Sequence, residues 1–105
     1  MRDLRILPEV LEDLAEAARW YERCGGRELG DRFVRAFEDS LPGILADADI
    51  HRPVYQEFKR ILLKPFPYAV YFRRYQRGVV VTLVWHTARN PVKLKSRLEG
   101  RKKQL

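Results

Sequence analysis

His86 is the residue of this sequence best suited to proton transfer near neutral pH, because the only other histidine, His51, falls in a predicted loop. Cleavage of RNA by attack of a 2′-hydroxyl needs a base for that hydroxyl, an acid for the leaving oxygen and positive charge around the phosphorus. If the protein cuts RNA, the candidate catalytic residues are therefore His86, Arg60 and Arg89.

The same three residues also have structural interpretations. His86 closes a predicted strand and could hydrogen-bond the turn at Ala88 and Arg89. Arg89 could equally anchor the end of the chain. Arg60 lies on a strand, as a cross-strand charge or as a ligand for an acidic partner. We favour the partner, because arginines beside tyrosine and phenylalanine are common at recognition surfaces.

Positive charge is concentrated in the second half of the chain. Residues 1–50 contain 7 Lys/Arg and 12 Asp/Glu, whereas residues 51–105 contain 14 Lys/Arg and 2 Asp/Glu. The net charge of +7 therefore combines an acidic first half with a basic second half. A solvated basic tail is one interpretation. Because the basic residues alternate with predicted strands, a surface for phosphates or an acidic protein segment is the other. The candidate partner-binding residues are the cationic and aromatic side chains Lys59, Arg60, Lys64, Tyr71, Arg73, Tyr75 and Arg89.

The composition gives no sign of a metal or a cofactor. Cys24 is the only cysteine, the histidines are two, and no glycine-rich phosphate loop is present. No apolar segment is long enough to span a bilayer, and residues 1–4 lack the apolar core of a secretion signal. We therefore expect no cofactor, no metal and no membrane association, in the reducing cytoplasm.

The first half of the chain predicts a strand followed by two helices. Leu4 and Ile6 alternate within a strand over residues 2–7, and Pro8 suits the first position of a helix that ends at Gly25 and Gly26. A second helix over about residues 28–48 has an apolar residue at every fourth position, and we expect Pro42 to kink or break it. Its buried face comprises Leu29, Phe33, Phe37, Leu41 and Leu45.

The second half predicts three strands, over residues 54–63, 68–75 and 79–86, linked by short turns into an antiparallel meander. A short basic helix over residues 92–100 and a frayed tail over residues 101–105 follow. The fold class is α+β, with the order β-α-α-β-β-β and the helical hairpin packed on one face of a small, mainly antiparallel sheet. Side chains alternate along the strand over residues 68–75, which places Tyr71 and Arg73 on one face of the sheet and Val70 and Phe72 on the other. This alternation does not decide which face the helices cover.

Several segments together resemble the RelE/ParE superfamily, and most closely its ParE-like plasmid-stabilisation branch. Their order and spacing match along nearly the whole chain, as one domain over residues 1–105. The segments are Pro-Glu-Val-Leu-Glu-Asp-Leu at 8–14, Trp-Tyr-Glu at 20–22, Leu-Gly-Asp-Arg-Phe at 29–33, Arg-Ile-Leu-Leu-Lys-Pro-Phe-Pro-Tyr-Ala-Val-Tyr at 60–71 and Trp-His-Thr-Ala-Arg-Asn-Pro at 85–91.

The resemblance implies a growth-arresting toxin of a type II toxin–antitoxin system, held in a hetero-oligomer by an acidic, partly disordered antitoxin segment. In the ParE-like branch it implies inhibition of DNA gyrase without catalysis. Nucleases of the RelE-like branch often carry a further tyrosine or histidine near the C-terminus, and neither follows His86 in this sequence, so an RNase would depend on His86 alone or on lysines with altered pKa values. The absence of that residue agrees with the ParE-like branch. The RelE-like alternative is an endonuclease that cuts mRNA on the ribosome. A toxin fold that has lost activity and acts as a binding module is a third possibility, so the sequence leaves open whether the chain is an enzyme.

Overall fold

The computed structural model describes residues 3–47 and 51–104, and within them it confirms the α+β class. The elements follow the order that the sequence predicts, and the last helix is three residues longer than its prediction over residues 92–100. They are β1 (Leu4–Ile6), α1 (Pro8–Gly25), α2 (Arg27–Asp47), β2 (Lys59–Leu62), β3 (Tyr68–Tyr75), β4 (Gly78–His86) and α3 (Pro91–Lys102). None of the described helices combines the length and apolarity needed to cross a membrane.

The helices α1 and α2 form a tight hairpin because the chain has glycine where the two helices touch. Gly26 turns the backbone at φ +86°, a conformation that favours glycine. A Cβ atom on Gly30 would lie 2.9 Å from the carbonyl oxygen of Ala18, so a larger residue there would push α1 and α2 apart. Tyr21 of α1 stacks on Phe33 of α2, with 5.3 Å between the ring centroids.

The second helix differs from its prediction in two ways. It runs through Pro42 without a break, so the prediction of a break at that residue is wrong. Phe33 and Phe37 are buried as expected, but the third fully buried position is Ile44, whereas Leu41 and Leu45 are only partly buried. A step of four residues rotates about 40° too far on a helix with about 3.6 residues per turn, whereas a step of seven falls about 20° short. Ile44, seven residues after Phe37, therefore lies closer to the buried direction.

The sheet has the strand order β1-β4-β3-β2. The strands β2, β3 and β4 form the predicted antiparallel meander, and β1 pairs parallel with β4. The predicted strand over residues 54–63 is too long, since only Lys59–Leu62 is strand. Tyr55 and Phe58 instead bridge across a tight turn in which Gln56 has φ +50°. This turn brings Phe58 fully inside the protein.

The two faces of the sheet are covered by different helices. Val70 and Phe72 pack under the α1–α2 hairpin in the main core. Tyr71 and Trp85, on the opposite face, form a smaller core beneath Leu98 of α3. The helix α3 therefore covers part of the face that the α1–α2 hairpin leaves open. Leu94 and Leu98 are four residues apart, which gives α3 one apolar stripe for this contact.

Arg101 and Lys102 contradict part of the predicted frayed tail over residues 101–105, of which Leu105 lies outside the described residues. The helix α3 continues to Lys102, and Arg101 is 7% exposed. Its guanidinium forms two hydrogen bonds to the carboxylate of Asp13, at 2.5 and 2.8 Å, and a third to the carbonyl oxygen of Thr82 at 3.1 Å. Asp13 also accepts a hydrogen bond from the backbone N–H of Val84 at 3.1 Å.

This ion pair protects a strand edge. The strand β1 pairs with β4 only as far as Val81, so the outer edge of β4 beyond that residue lacks a neighbouring strand. Asp13 and Arg101 satisfy the backbone groups of Val84 and Thr82 on that edge, as a further strand would otherwise do. The contact also joins α1 to α3 around the edge of the sheet.

Candidate functional site

A cleft opens where the end of β4 lies between α1 and α3, and we call it the α1–α3 cleft. It has a volume of about 440 Å³. One wall comes from α1, the floor from β3 and β4, and the other wall from the segment after β4 and from α3. The lining residues are Asp13, Glu16, Ala17, Trp20, Arg23, Tyr68, Val84, Trp85, His86, Arg89 and Arg97.

His86 is held at the mouth of this cleft by the turn that follows it. Its Nδ1 atom accepts a hydrogen bond from the backbone N–H of Ala88 at 3.1 Å, and its carbonyl oxygen accepts one from Arg89 at 3.0 Å. The structural interpretation of His86, in which it hydrogen-bonds the turn at Ala88 and Arg89, therefore matches these two contacts. Because Nδ1 is an acceptor, the neutral ring carries its proton on Nε2. The ring meets that of Tyr68 edge-on, with 5.1 Å between centroids.

Tyr68 lies between charges of both walls. Burial raises the pKa of its phenol, the nearby carboxylate of Glu16 raises it further, and the Arg89 guanidinium acts in the opposite direction. The phenol therefore keeps its proton at neutral pH. Such a group can donate a hydrogen bond, but it cannot serve as a general base beside His86.

The cationic wall is built on Trp85. The guanidinium carbon of Arg89 lies 4.3 Å from the Trp85 ring centroid, and that of Arg97 lies 5.6 Å from it. Arginine stacks readily on an aromatic face because its planar ion is weakly hydrated. These contacts hold the two guanidinium groups at the cleft, against the indole ring of Trp85.

The other predicted site residues lie on the strands. The Arg60 guanidinium contacts the Tyr71 hydroxyl at 3.5 Å, and the Arg73 guanidinium carbon lies 5.4 Å from the Tyr75 ring centroid. We call Arg60, Tyr71 and Arg73 the basic strand face, since Tyr75 packs against the main core instead. Tyr71 is only 3% exposed, so it supports Arg60 and offers little surface of its own. Lys59, opposite Phe72 in the sheet, is half-buried, and Lys64 is exposed beyond the end of β2.

The structure brings His86 and Arg89 together but leaves Arg60 elsewhere. His86 pairs with Tyr68 across the sheet, whereas Arg60 pairs with Tyr71, three residues and so about 10 Å further along β3. Tyr68 packs on Phe33 in the main core, and Tyr71 belongs to the smaller core on the opposite face. A side chain opposite each of them therefore extends from a different face of the sheet.

Of the lining residues, the sequence predicted only His86 and Arg89 as site residues. Trp20, Trp85 and Arg97 are among those that it missed. Trp20 is 51% exposed at the cleft, and Arg97 stacks on Trp85. No local pattern in the sequence connects Trp20, Trp85 and Arg97, because they come from three separate elements and meet only after folding.

The comparison with protein families matches residues 4–91 to the family described as "ParE toxin of type II toxin-antitoxin system, parDE". The chain therefore belongs to the ParE toxin family, which confirms the resemblance seen in its sequence segments. Among its relatives are proteins named Toxin ParE2 from two strains of Mycobacterium tuberculosis, CDC 1551 / Oshkosh and ATCC 25618 / H37Rv. Each is 28% identical over 101 residues, which is 95% of this chain and 95% of the relative.

A solved structure of the chromosomal ParDE TA system from P. aeruginosa has the same fold. It superposes with a TM-score of 0.75 at 15% sequence identity, covering 82% of this chain and 96% of that one. At this level of identity the likeness concerns the arrangement of strands and helices alone.

Proposed function

We propose that this ParE-family toxin arrests growth by inhibiting DNA gyrase in the cytoplasm, and that a cognate acidic antitoxin neutralises it. The observation that carries the choice of target is the separation of the candidate catalytic residues. Arg60 and His86 belong to different faces of the sheet and to positions about 10 Å apart along β3. General acid–base cleavage requires its groups within hydrogen-bonding reach of one phosphate.

The hydrogen bonding of His86 supports the same choice. Its Nδ1 is occupied by the N–H of Ala88, and its aromatic neighbour Tyr68 has a raised pKa. The ring can still exchange a proton at Nε2, but the described residues offer no second group suited to complete an acid–base pair. Inhibition by binding needs a surface and no such pair.

The charge distribution supports an acidic antitoxin. The basic strand face and Lys64 lie in the half of the chain with 14 basic and 2 acidic residues. The salt bridges formed by basic residues of this half include Arg101 with Asp13 and Lys102 with Glu57. Arg60 and Arg73 instead contact tyrosines, which leaves their charge available to carboxylates of a partner. The expected assembly is a hetero-oligomer of toxin and antitoxin.

Inducible expression in bacteria tests the target. We expect growth arrest with trapped DNA breaks, inhibition of supercoiling by purified gyrase, and no new mRNA 5′ ends. Ribosome-dependent mRNA cuts that disappear with His86→Ala, alongside unaffected gyrase, would establish the RNase alternative instead. Harmless expression of folded protein would favour the binding-module alternative.

Antitoxin binding is tested separately with Arg60→Gln and Arg73→Gln. Each should slow association and reduce its salt dependence, because charges at the edge of an interface act mainly by steering. Arg35→Gln is the matched control, since it removes the same charge from an exposed position of α2. Equal association rates for all three variants and the wild type would remove the basic strand face from the antitoxin interface.

A further inference from the structure

Both tryptophans of the chain line the α1–α3 cleft, although they come from different elements. Trp85 of β4 is 3% exposed and forms part of the floor. Trp20 of α1 is 51% exposed at the rim. A half-exposed tryptophan above a cleft offers a flat apolar surface, and such surfaces stack well against planar ligands.

The cleft holds polar groups that the protein itself leaves unused. Trp85 Nε1 is buried and has no hydrogen-bond partner among the described residues. A buried N–H without a partner is costly, and it marks a place for a missing acceptor. Arg89 and Arg97 lie over the same indole, and within residues 3–47 and 51–104 neither forms a salt bridge. Donors and positive charge together favour an anion with several oxygen atoms.

The acidic wall does not cancel this positive charge. Asp13 is already neutralised by Arg101 and hydrogen-bonded to Val84. Glu16 is the other carboxylate that lines the cleft, and it is exposed. Glu16 on α1 and Arg89 after β4 line the cleft with Tyr68, and their charges act in opposite directions on the pKa of its phenol. A ligand that fits must therefore be anionic at one end and must offer hydrogen-bond donors at the other.

We propose that the α1–α3 cleft binds one nucleotide unit, with the phosphate at Arg89 and Arg97 and the base stacked on Trp20. The edge of the base faces Glu16, which accepts hydrogen bonds from N–H groups such as those of guanine. The volume of about 440 Å³ lies in the range usual for small-molecule sites. An acidic peptide fits less well, because its second carboxylate would meet Glu16.

This site goes beyond the proposed function, because neither antitoxin binding nor gyrase inhibition requires a nucleotide in the cleft. The nucleotide unit could be free in solution or could belong to a single-stranded nucleic acid. The shared chemistry is a phosphate attached to a nucleoside, and separate arms of one experiment distinguish the two sources.

The two indole N–H signals in a 15N-correlated NMR spectrum report the two ends of the site, and Trp20→Phe assigns them. The full-length protein is titrated with guanosine 5′-monophosphate, with inorganic phosphate and with a short guanine-rich single-stranded RNA. We expect both indole signals to move in a saturable way with the nucleotide. Inorganic phosphate should move only the Trp85 signal and should bind at least about fivefold more weakly, because it lacks the base that stacks on the aromatic side chain.

Matched variants test the two arginines. Arg89→Gln and Arg97→Gln should each weaken nucleotide binding by about tenfold or more, whereas Arg35→Gln on the outside of α2 should leave it within about twofold. Binding of the RNA tenfold tighter than that of guanosine 5′-monophosphate would identify a single-stranded nucleic acid as the source of the nucleotide unit. Equal binding of the two would identify a free nucleotide as the source. The proposal is overturned if the Trp85 signal does not respond to the nucleotide, if phosphate binds equally well, or if neither arginine variant weakens binding.

Discussion

Replacing Arg101 by methionine should destabilise the protein far more than its position near the end of the chain suggests. Methionine keeps the apolar stem but removes three hydrogen bonds, to the Asp13 carboxylate at 2.5 and 2.8 Å and to the Thr82 carbonyl at 3.1 Å. The Asp13 side chain, 13% exposed, then keeps its charge with only the Val84 N–H beside it. Removing one partner of a buried ion pair costs about 3–5 kcal/mol.

That cost is large for a domain of this size, since the whole free energy of unfolding of such domains is about 5–15 kcal/mol. Chemical denaturation followed by circular dichroism measures it. Lys102→Met is the matched control, because the neighbouring Lys102–Glu57 pair is exposed, with side chains 44% and 40% accessible. An exposed pair contributes at most about 1 kcal/mol. A cost for Arg101→Met as small as that of Lys102→Met would refute the reasoning.

The double variant Asp13→Leu with Arg101→Met separates edge protection from simple charge pairing. Replacing a buried ion pair by apolar residues is often neutral. Here it leaves the Val84 N–H and the Thr82 carbonyl without partners, so the double variant should remain destabilised by about 1–3 kcal/mol. Hydrogen exchange at the Val84 amide should also become faster. A double variant as stable as the wild type, with Val84 still protected, would show that water or another group satisfies this edge.

Three further predictions concern other parts of the molecule. Gly78→Ala should destabilise by about 1–3 kcal/mol in thermal unfolding, because its Cβ would lie 2.3 Å from the Asp3 carbonyl oxygen. Tyr68→Phe should remove from the alkaline absorbance titration a phenol that titrates late, since burial raises the Tyr68 pKa. The free energy of unfolding of the wild type should fall as pH rises through that raised pKa. Hydrogen bonding to Lys102 lowers the pKa of Glu57. Denaturation curves of Lys102→Gln and wild type should therefore differ by at most about 1 kcal/mol above the ordinary glutamate pKa and converge as pH falls through the lowered one.

The sequence was sufficient for the elements whose signals are local. Pro8 and Gly26 mark the two ends of the first helix, and β3 spans the predicted residues 68–75. The five ordered segments between residues 8 and 91 were together enough to indicate the family, which the match over residues 4–91 confirms. These features depend on neighbouring residues, whose spacing is visible along the chain.

Predictions from local sequence patterns were wrong where contacts between residues far apart in the sequence override local preferences. Val54 and its neighbours have strand-like composition, yet the chain turns at Gln56 so that Phe58 reaches the smaller core. Arg101 looks like part of a solvated basic tail until Asp13, 88 residues earlier, supplies its partner. Propensity is a weak preference, and one buried contact contributes more than several residues of it.

The sequence by itself determined the composition of the site: an excess of arginine and lysine after residue 51, the histidine that closes β4, and the class of protein. Only the tertiary structure decided which of these residues meet. Arg60 of β2 and His86 of β4 lie on the two strands that flank β3, but the alternation and register of the sheet place them on opposite faces. Trp20, Trp85 and Arg97 become neighbours because α1 and α3 close around the unpaired end of β4, and burial of apolar surface at long range drives that arrangement.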